Sequence, residues 1–244
     1  MGFEVLDFDG RYLRLPLYAM RSSWAPALTK HTVPDEELLA KKKFCNFVVS
    51  NDYSNERNEF FAALNAHRPV DSGGGYMNNI GGPVTDKLAF QRGYKFSIAY
   101  ENSRGAGYCT EKIVDAFAAA TVPIYWGAPD VKQEFNPAAF LCADDYPDTA
   151  ALIAAIDEID RDDEKFLAMC HAQILAPDGS SRAARYVTDE ACAEFLTGIF
   201  EKGPHLRRNR SCWGSIYEGD WKYYRRLAEA DRKPKGLLQR ILGR

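Results

Sequence analysis

Tyr94-Lys95-Phe96-Ser97-Ile98-Ala99-Tyr100, the loop Glu101 to Cys109, the run Thr110 to Ala120, and then Val122-Pro123-Ile124-Tyr125-Trp126 decide the fold. The first run is aromatic and apolar, bounded by a Gly/Ser/Asn-rich segment, and reads as a strand. Helical spacing over Thr110 to Ala120 follows, and Val122 to Trp126 is a second strand. A strand, a helix and a strand in that order form a parallel βαβ unit. Working outward, Phe44 to Ser50 reads as a further strand and Ser54 to His67 as a helix with Phe60, Phe61 and Leu64 on its apolar face. Glycine loops follow at Ser72 to Gly75 and at Gly81-Gly82-Pro83. Downstream, Phe140 to Ala143 reads as a fourth strand, with helices near 148–160, 163–175 and 187–200. The pattern predicts one Rossmann-like α/β domain over residues 42–200. Residues 1–41 form an extended piece and a polar linker before it, and residues 201–244 a basic helical tail after it. Ligands of such sheets sit at the carboxyl ends of the strands.

Composition removes several classes of protein. The 244 residues are 46% hydrophobic and 27% charged, which excludes a disordered or disulfide-scaffold chain. The net charge of −3 conceals a basic C-terminal stretch after residue 202, and it argues against a nucleic-acid partner for the chain as a whole. No apolar run approaches the roughly 18–20 residues of a membrane span. Glu4, Asp7, Asp9 and Arg11 are wrong for a signal peptide. The six cysteines are scattered without a C-x-x-C, so reduced, half-buried thiols in a cytoplasmic protein are expected.

Two strand-to-helix turns place a cation in the first turn of a helix. Ser54 reads as an N-cap with Arg57 three residues on, and Thr110 as an N-cap with Lys112 at the second helical position. A cation there opposes the helix dipole at a cost of about 0.3–1 kcal/mol. Such a placement points to an anion at the same spot. Helix N–H groups already favour phosphate, and an added cation suits a pyrophosphate. The competing reading is a surface cation without a partner. The absence of a Walker-A or G-x-G-x-x-G pattern favours a nucleotide-sugar binder over an NTPase or dehydrogenase. Gly73-Gly74-Gly75 is expected to follow a helix and to form an ordinary turn.

Tyr100-Glu101-Asn102-Ser103, Tyr108-Cys109-Thr110-Glu111-Lys112 and Val122-Pro123-Ile124-Tyr125-Trp126-Gly127 occur at linked spacings that strongly resemble the α1,3/4-fucosyltransferase family, bacterial members above all. Val48-Val49-Ser50-Asn51 with Arg57-Asn58, Phe135-Asn136-Pro137 and Asp144-Asp145-Tyr146 extend the resemblance over about residues 44–147. It implies the donor-binding, C-terminal Rossmann-like domain of a GT-B glycosyltransferase. The implied activity is inverting transfer of L-fucose from GDP-fucose to a glycan containing GlcNAc or glucose. Carried over by position, Arg57 and Lys112 hold the diphosphate and Glu111 accepts from ribose hydroxyls. Asn102 and Tyr108 line the donor pocket, and Ser50 and Asn51 border it.

Charge on the leaving GDP is stabilised in this reading by fixed cations and helix N–H groups, so no metal or cofactor is expected. The D-x-D patterns Asp7-Phe8-Asp9 and Asp160-Arg161-Asp162 are expected to be solvated surface. Family members carry an N-terminal domain with the acceptor groove and a carboxylate base. The resemblance places Met1 near the interdomain region, so that domain is expected to be largely missing and no catalytic base is named. A donor-binding module without transfer activity of its own is therefore the alternative. Glu101 is expected to shape the pocket. Residues 221–244 mix basic and apolar residues in a way that suits either an anionic membrane surface, with a peripheral position on the inner membrane, or a helix packed on the domain with its basic residues in water.

Overall fold

The computed structural model describes residues 13–201 and Tyr223. Residues 1–12, which include Asp7-Phe8-Asp9, and the rest of the tail lie outside the described residues. In chain order the elements are α1 (Trp24–Leu28), α2 (Asp35–Leu39), β1 (Lys43–Phe47), α3 (Asn55–His67), β2 (Val70–Ser72), α4 (Lys87–Arg92), β3 (Tyr94–Tyr100), α5 (Glu111–Ala118), β4 (Val122–Trp126), α6 (Val131–Glu134), β5 (Leu141–Cys142), α7 (Thr149–Arg161), α8 (Asp163–His171), α9 (Arg182–Tyr186) and α10 (Asp189–Glu201). Contacts divide the chain after Phe195 into two units. The first carries everything up to the middle of α10. The second is described only by the end of that helix and by Tyr223.

Among the described residues five strands form one sheet in the order β2-β1-β3-β4-β5, and every pairing is parallel. The fold is α/β, as the βαβ reading predicts. The chain moves from β1 outward to β2, then returns to add β3 on the other side of β1. That reversal opens a crevice beyond the carboxyl ends of β1 and β3, the topological switch point.

Both faces of the sheet are covered, so β1, β3 and β4 are buried along nearly their whole length, with the polar Asn46 and Ser97 hydrogen-bonded to each other inside. Cys45, Phe47, Phe96, Ile98, Tyr100, Val122 and Ile124 face α3, α7 and α8, where Phe60, Phe61, Ile156 and Phe166 complete one core. Phe60 stacks on Tyr100 and Phe61 on Phe47, with ring centroids 4.6 and 4.5 Å apart. The opposite face is closed by α1 and α5 through Ala27, Ile113 and Phe117.

Three expectations are corrected. Residues 21–41 are not a linker: α1 and α2 pack on the domain, with Ala27 and Leu38 fully buried. Hydropathy misleads here because the polar side chains turn inward. Ser23 donates to Asp115 at 2.6 Å, and Lys30 donates to the carbonyls of Met169 and Cys170, both at 2.8 Å. Burial lowers the Lys30 pKa to about 8. Strand β2 and helix α4 were absent from the sequence reading. β2 is three residues long, and its outer edge is satisfied by the Asn79 amide, which accepts from Ser72 N and donates to Val70 O at 2.7 and 2.9 Å. A side chain thus blunts the exposed edge of the sheet.

The glycine triplet consequently follows a strand rather than a helix. Gly73 N donates to Phe47 O at 2.9 Å, and Gly74 lies against the Val49 backbone so closely that a Cβ would overlap its carbonyl oxygen. A Cβ on Gly75 would meet Ser50 at an ordinary 3.7 Å. Gly74→Ala is expected to destabilise by about 2 kcal/mol or more, roughly 4–8 °C in Tm, and Gly75→Ala by under about 0.5 kcal/mol. Thermal melts of the two variants decide it, and equal shifts would contradict the close approach.

Candidate functional site

Helix α3 begins as the sequence predicts: the Ser54 hydroxyl accepts from Arg57 N at 3.3 Å. Arg57 then turns back across the carboxyl ends of β1 and β3 with only 1% of its surface exposed. Its Nη2 donates to the backbone and side-chain oxygens of Asn51 at 2.7 and 3.1 Å, and its Nη1 to Asn102 Oδ1. All three acceptors are neutral amide oxygens. Among the described residues Arg57 has no carboxylate partner, and its Nε is buried without a hydrogen bond. Burial lowers its pKa, an effect opposed from farther off by Glu101. The guanidinium is thus buried among amide oxygens with one donor unused, and no carboxylate among the described residues neutralises it.

The second cation is arranged differently. Glu101, the first residue after β3, is completely buried. Its Oε1 accepts from Thr110 N at 2.7 Å, and its Oε2 accepts from Thr110 Oγ1 at 2.7 Å and Lys112 Nζ at 2.8 Å. Thr110 is the residue before α5, as expected, but its hydroxyl does not cap the helix. Its proton goes to Glu101, and its oxygen accepts from Lys112 Nζ at 3.0 Å instead of from a backbone N–H. The anion that the dipole argument demands beside Lys112 is therefore partly the protein's own. Burial works to lower the Lys112 pKa, but Glu101 and then Glu111 outweigh it and raise it. The side chain keeps 14% of its surface open.

Ser50 is exposed and Asn51 half-buried on the loop after β1, while Asn102 and Tyr108 are half-buried on the loop after β3. Glu111 opens α5, with a carboxylate oxygen 3.9 Å from Lys112 Nζ. Tyr108 is close enough to influence both Arg57 and Lys112 electrostatically. Asn51, Arg57 and Asn102 are thus joined directly, Lys112 joins Glu101 and Glu111, and Ser50 stands at the rim. One helical turn beyond Arg57, a cleft of about 400 Å³ opens between Glu56, Phe60, Tyr100, Trp126 and Tyr146.

Gly127 explains the end of the Val122 to Gly127 motif. It has φ +153°, and a Cβ there would lie 2.5 Å from Glu101 Cγ. The glycine makes room for the carboxylate. Asp160 and Asp162 each have partners of their own. Asp160 bonds Arg68 and Lys95, and Asp162 accepts from Lys165 N at the start of α8. Among the described residues no three His, Cys, Asp or Glu side chains converge.

The pattern model of glycosyltransferase family 10 (fucosyltransferase), C-terminal region, matches residues 38–172. The chain belongs to this family. It is 38% identical over 177 residues to the α-(1,3)-fucosyltransferase FucT of Helicobacter pylori, covering 60% of this chain and 37% of that one. A human 4-galactosyl-N-acetylglucosaminide 3-α-L-fucosyltransferase, FUT5, is 30% identical over 158 residues, 63% of this chain and 42% of its own length. The chain therefore spans well under half of these relatives. The crystal structure of an α1,3-fucosyltransferase with GDP-fucose superposes with a TM-score of 0.73 at 31% identity, over 85% of this chain and 71% of that one. The α/β sheet of this family 10 chain is the C-terminal domain of the GT-B type.

Glu101, whose chemistry organises the site, was legible only as a pocket residue, because sequence does not show which way a strand-end side chain turns. A lysine at the second position of a helix was the available signal that a carboxylate would be near. Glu101→Gln keeps the shape but sets an amide donor against Lys112 and Thr110. Losing one partner of a buried pair costs about 3–5 kcal/mol. A Tm fall of more than about 6 °C is expected, with much of it recovered in Glu101→Gln/Lys112→Met. A Tm within a degree of wild type would contradict the anchor.

Proposed function

We propose that this family 10 chain binds GDP-fucose through Arg57 and Lys112 and contributes the donor side of an inverting fucosyl transfer to a glycan containing GlcNAc or glucose. The observation that carries the proposal is Arg57, a buried guanidinium among neutral amides at the switch point of the sheet. Cleavage of the sugar C1–O bond builds positive charge on fucose and negative charge on the departing diphosphate. A cation already desolvated and fixed stabilises that charge without reorganising. Lys112 and the N–H groups at the start of α5 add to it. Glu111 accepts from the ribose hydroxyls, Asn102 and Tyr108 line the donor pocket, and Ser50 and Asn51 border it. The cleft lined by Glu56, Phe60, Tyr100 and Trp126 leaves room for a part of the ligand that is not phosphate. This chemistry requires no metal or cofactor.

An inverting transfer also needs a base for the acceptor hydroxyl. Glu101 is spent on Thr110 and Lys112 and is closed to solvent, which removes it as a candidate. That favours a second reading in which these residues bind the donor but do not transfer fucose alone. The basic residues of 221–244 are proposed to rest on an anionic membrane at the cytoplasmic face. Deleting 234–244 should release the protein from anionic vesicles, and retention would remove that role.

Calorimetric titration with GDP and GDP-fucose in EDTA, beside a transfer assay on N-acetyllactosamine, tests the main reading. Binding is expected without added metal. Lys112→Ala should weaken GDP at least tenfold and lower Tm as well, because Glu101 keeps its Thr110 hydrogen bonds but loses its counter-ion. Unchanged affinity would remove Lys112 from the clamp. Transfer by the wild-type chain would overturn the binding-only reading.

A further inference from the structure

Gly107, one residue before Tyr108, is held on both sides. Its N–H donates to Asp130 Oδ1 at 2.8 Å, and its carbonyl accepts from Arg14 Nη2 at 3.3 Å. Each of those side chains is fixed in turn. Asp130 Oδ2 accepts from Arg182 Nη1 at 2.6 Å, and Arg182 also bonds Gln133. Arg14 is buried and pairs with Glu134, which accepts as well from the fully buried Tyr18. Asp130 immediately precedes α6 and Glu134 ends it, so this one short helix governs both holds.

Gly107 itself has φ +71°, a conformation that leaves its two peptide groups pointing to these opposite partners. Burial works to raise the Asp130 pKa, but the Gly107 N–H and Arg182 overcome it and hold the carboxylate below its usual range. Tyr108 N then donates to Gly105 O at 3.0 Å, which closes the turn that carries the phenol.

We infer that Asp130, with Arg14 across the turn, is a positioning residue that fixes Gly107 so that Tyr108 is presented to the donor pocket. The Glu101–Thr110 anchor holds the chain on the C-terminal side of Tyr108, and the Gly107 clamp holds it on the N-terminal side, drawing on residues from before α1 to α9. Without it, the loop must be ordered when ligand binds, and that ordering reduces affinity. The inference rests on Tyr108 facing the donor, as proposed above.

The test uses the full chain and two readouts. Hydrogen exchange reports the clamp without ligand: Asp130→Ala should speed exchange across 105–109 at least tenfold while α5 and β4 keep wild-type protection. GDP titration reports its role. Asp130→Ala should weaken GDP five- to tenfold and add nothing in a Tyr108→Ala background, while Asp130→Asn, which keeps an acceptor for the Gly107 N–H, recovers most of the affinity. Should Asp130→Ala fail to fold, Arg182→Gln loosens the same carboxylate from its outer side and must show the same pattern at smaller size. Additive losses in the double variant overturn the inference, and so does a fall in Tm with exchange at 105–109 and GDP affinity unchanged. Faster exchange in a wild-type background that binds no GDP would overturn the donor reading and the positioning role together, leaving the clamp as loop structure.

Discussion

The carboxylate of Glu101 is the interaction on which the site depends. It sits where β3 ends, has no exposure, and collects a backbone N–H, a hydroxyl and an ammonium from the beginning of α5. Strand and helix are thereby locked at the point where the chain leaves the sheet, and Lys112 is held beside the helix N-terminus despite the dipole. Isolated, any one of these groups would be costly to bury; together they satisfy one another. Gly127 has no side chain because the Glu101 stem occupies that space.

Across the crevice, Arg57 makes the opposite arrangement from the same kind of residue. Lys112 has its counter-ion within the protein, whereas Arg57 is surrounded by amide oxygens that orient the guanidinium without neutralising it. The two cations therefore have different parts in the site. Lys112 is steadied by Glu101 and keeps part of its side chain open; Arg57 is buried, and no carboxylate among the described residues pairs with it. That asymmetry follows from the fold, because α3 and α5 begin on the two sides of the β1/β3 switch point.

Much of this was readable in the sequence, for identifiable reasons. β3, α5 and β4 were legible because a seven-residue strand buried on both faces leaves a run rich in aromatic and apolar residues, and the motifs after it mark a strand-to-helix turn. Arg57 and Lys112 were legible as cations in first turns, and the structure brings Arg57 together with Asn51 and Asn102. β2 was hidden because Val70-Asp71-Ser72 is too short to show alternation and its edge is completed by a side chain, Asn79, from the loop that follows it. The segment holding Lys30 read as a linker because a lysine that spends its charge on two carbonyls has the composition of a solvated one. Asp130 and Arg14 were not legible as a pair, since the group they share is the backbone of Gly107, which any sequence supplies, and their charged partners Arg182 and Glu134 meet them only in the fold.

The central claim is that the crevice is built for two linked phosphates rather than for a nucleoside alone. Titrating the chain with GDP and with GMP under identical metal-free conditions tests it most directly. The second phosphate should strengthen binding by about tenfold or more, since buried charge-assisted hydrogen bonds contribute about 1.5–3 kcal/mol each. Equal affinities for the two nucleotides would contradict the account.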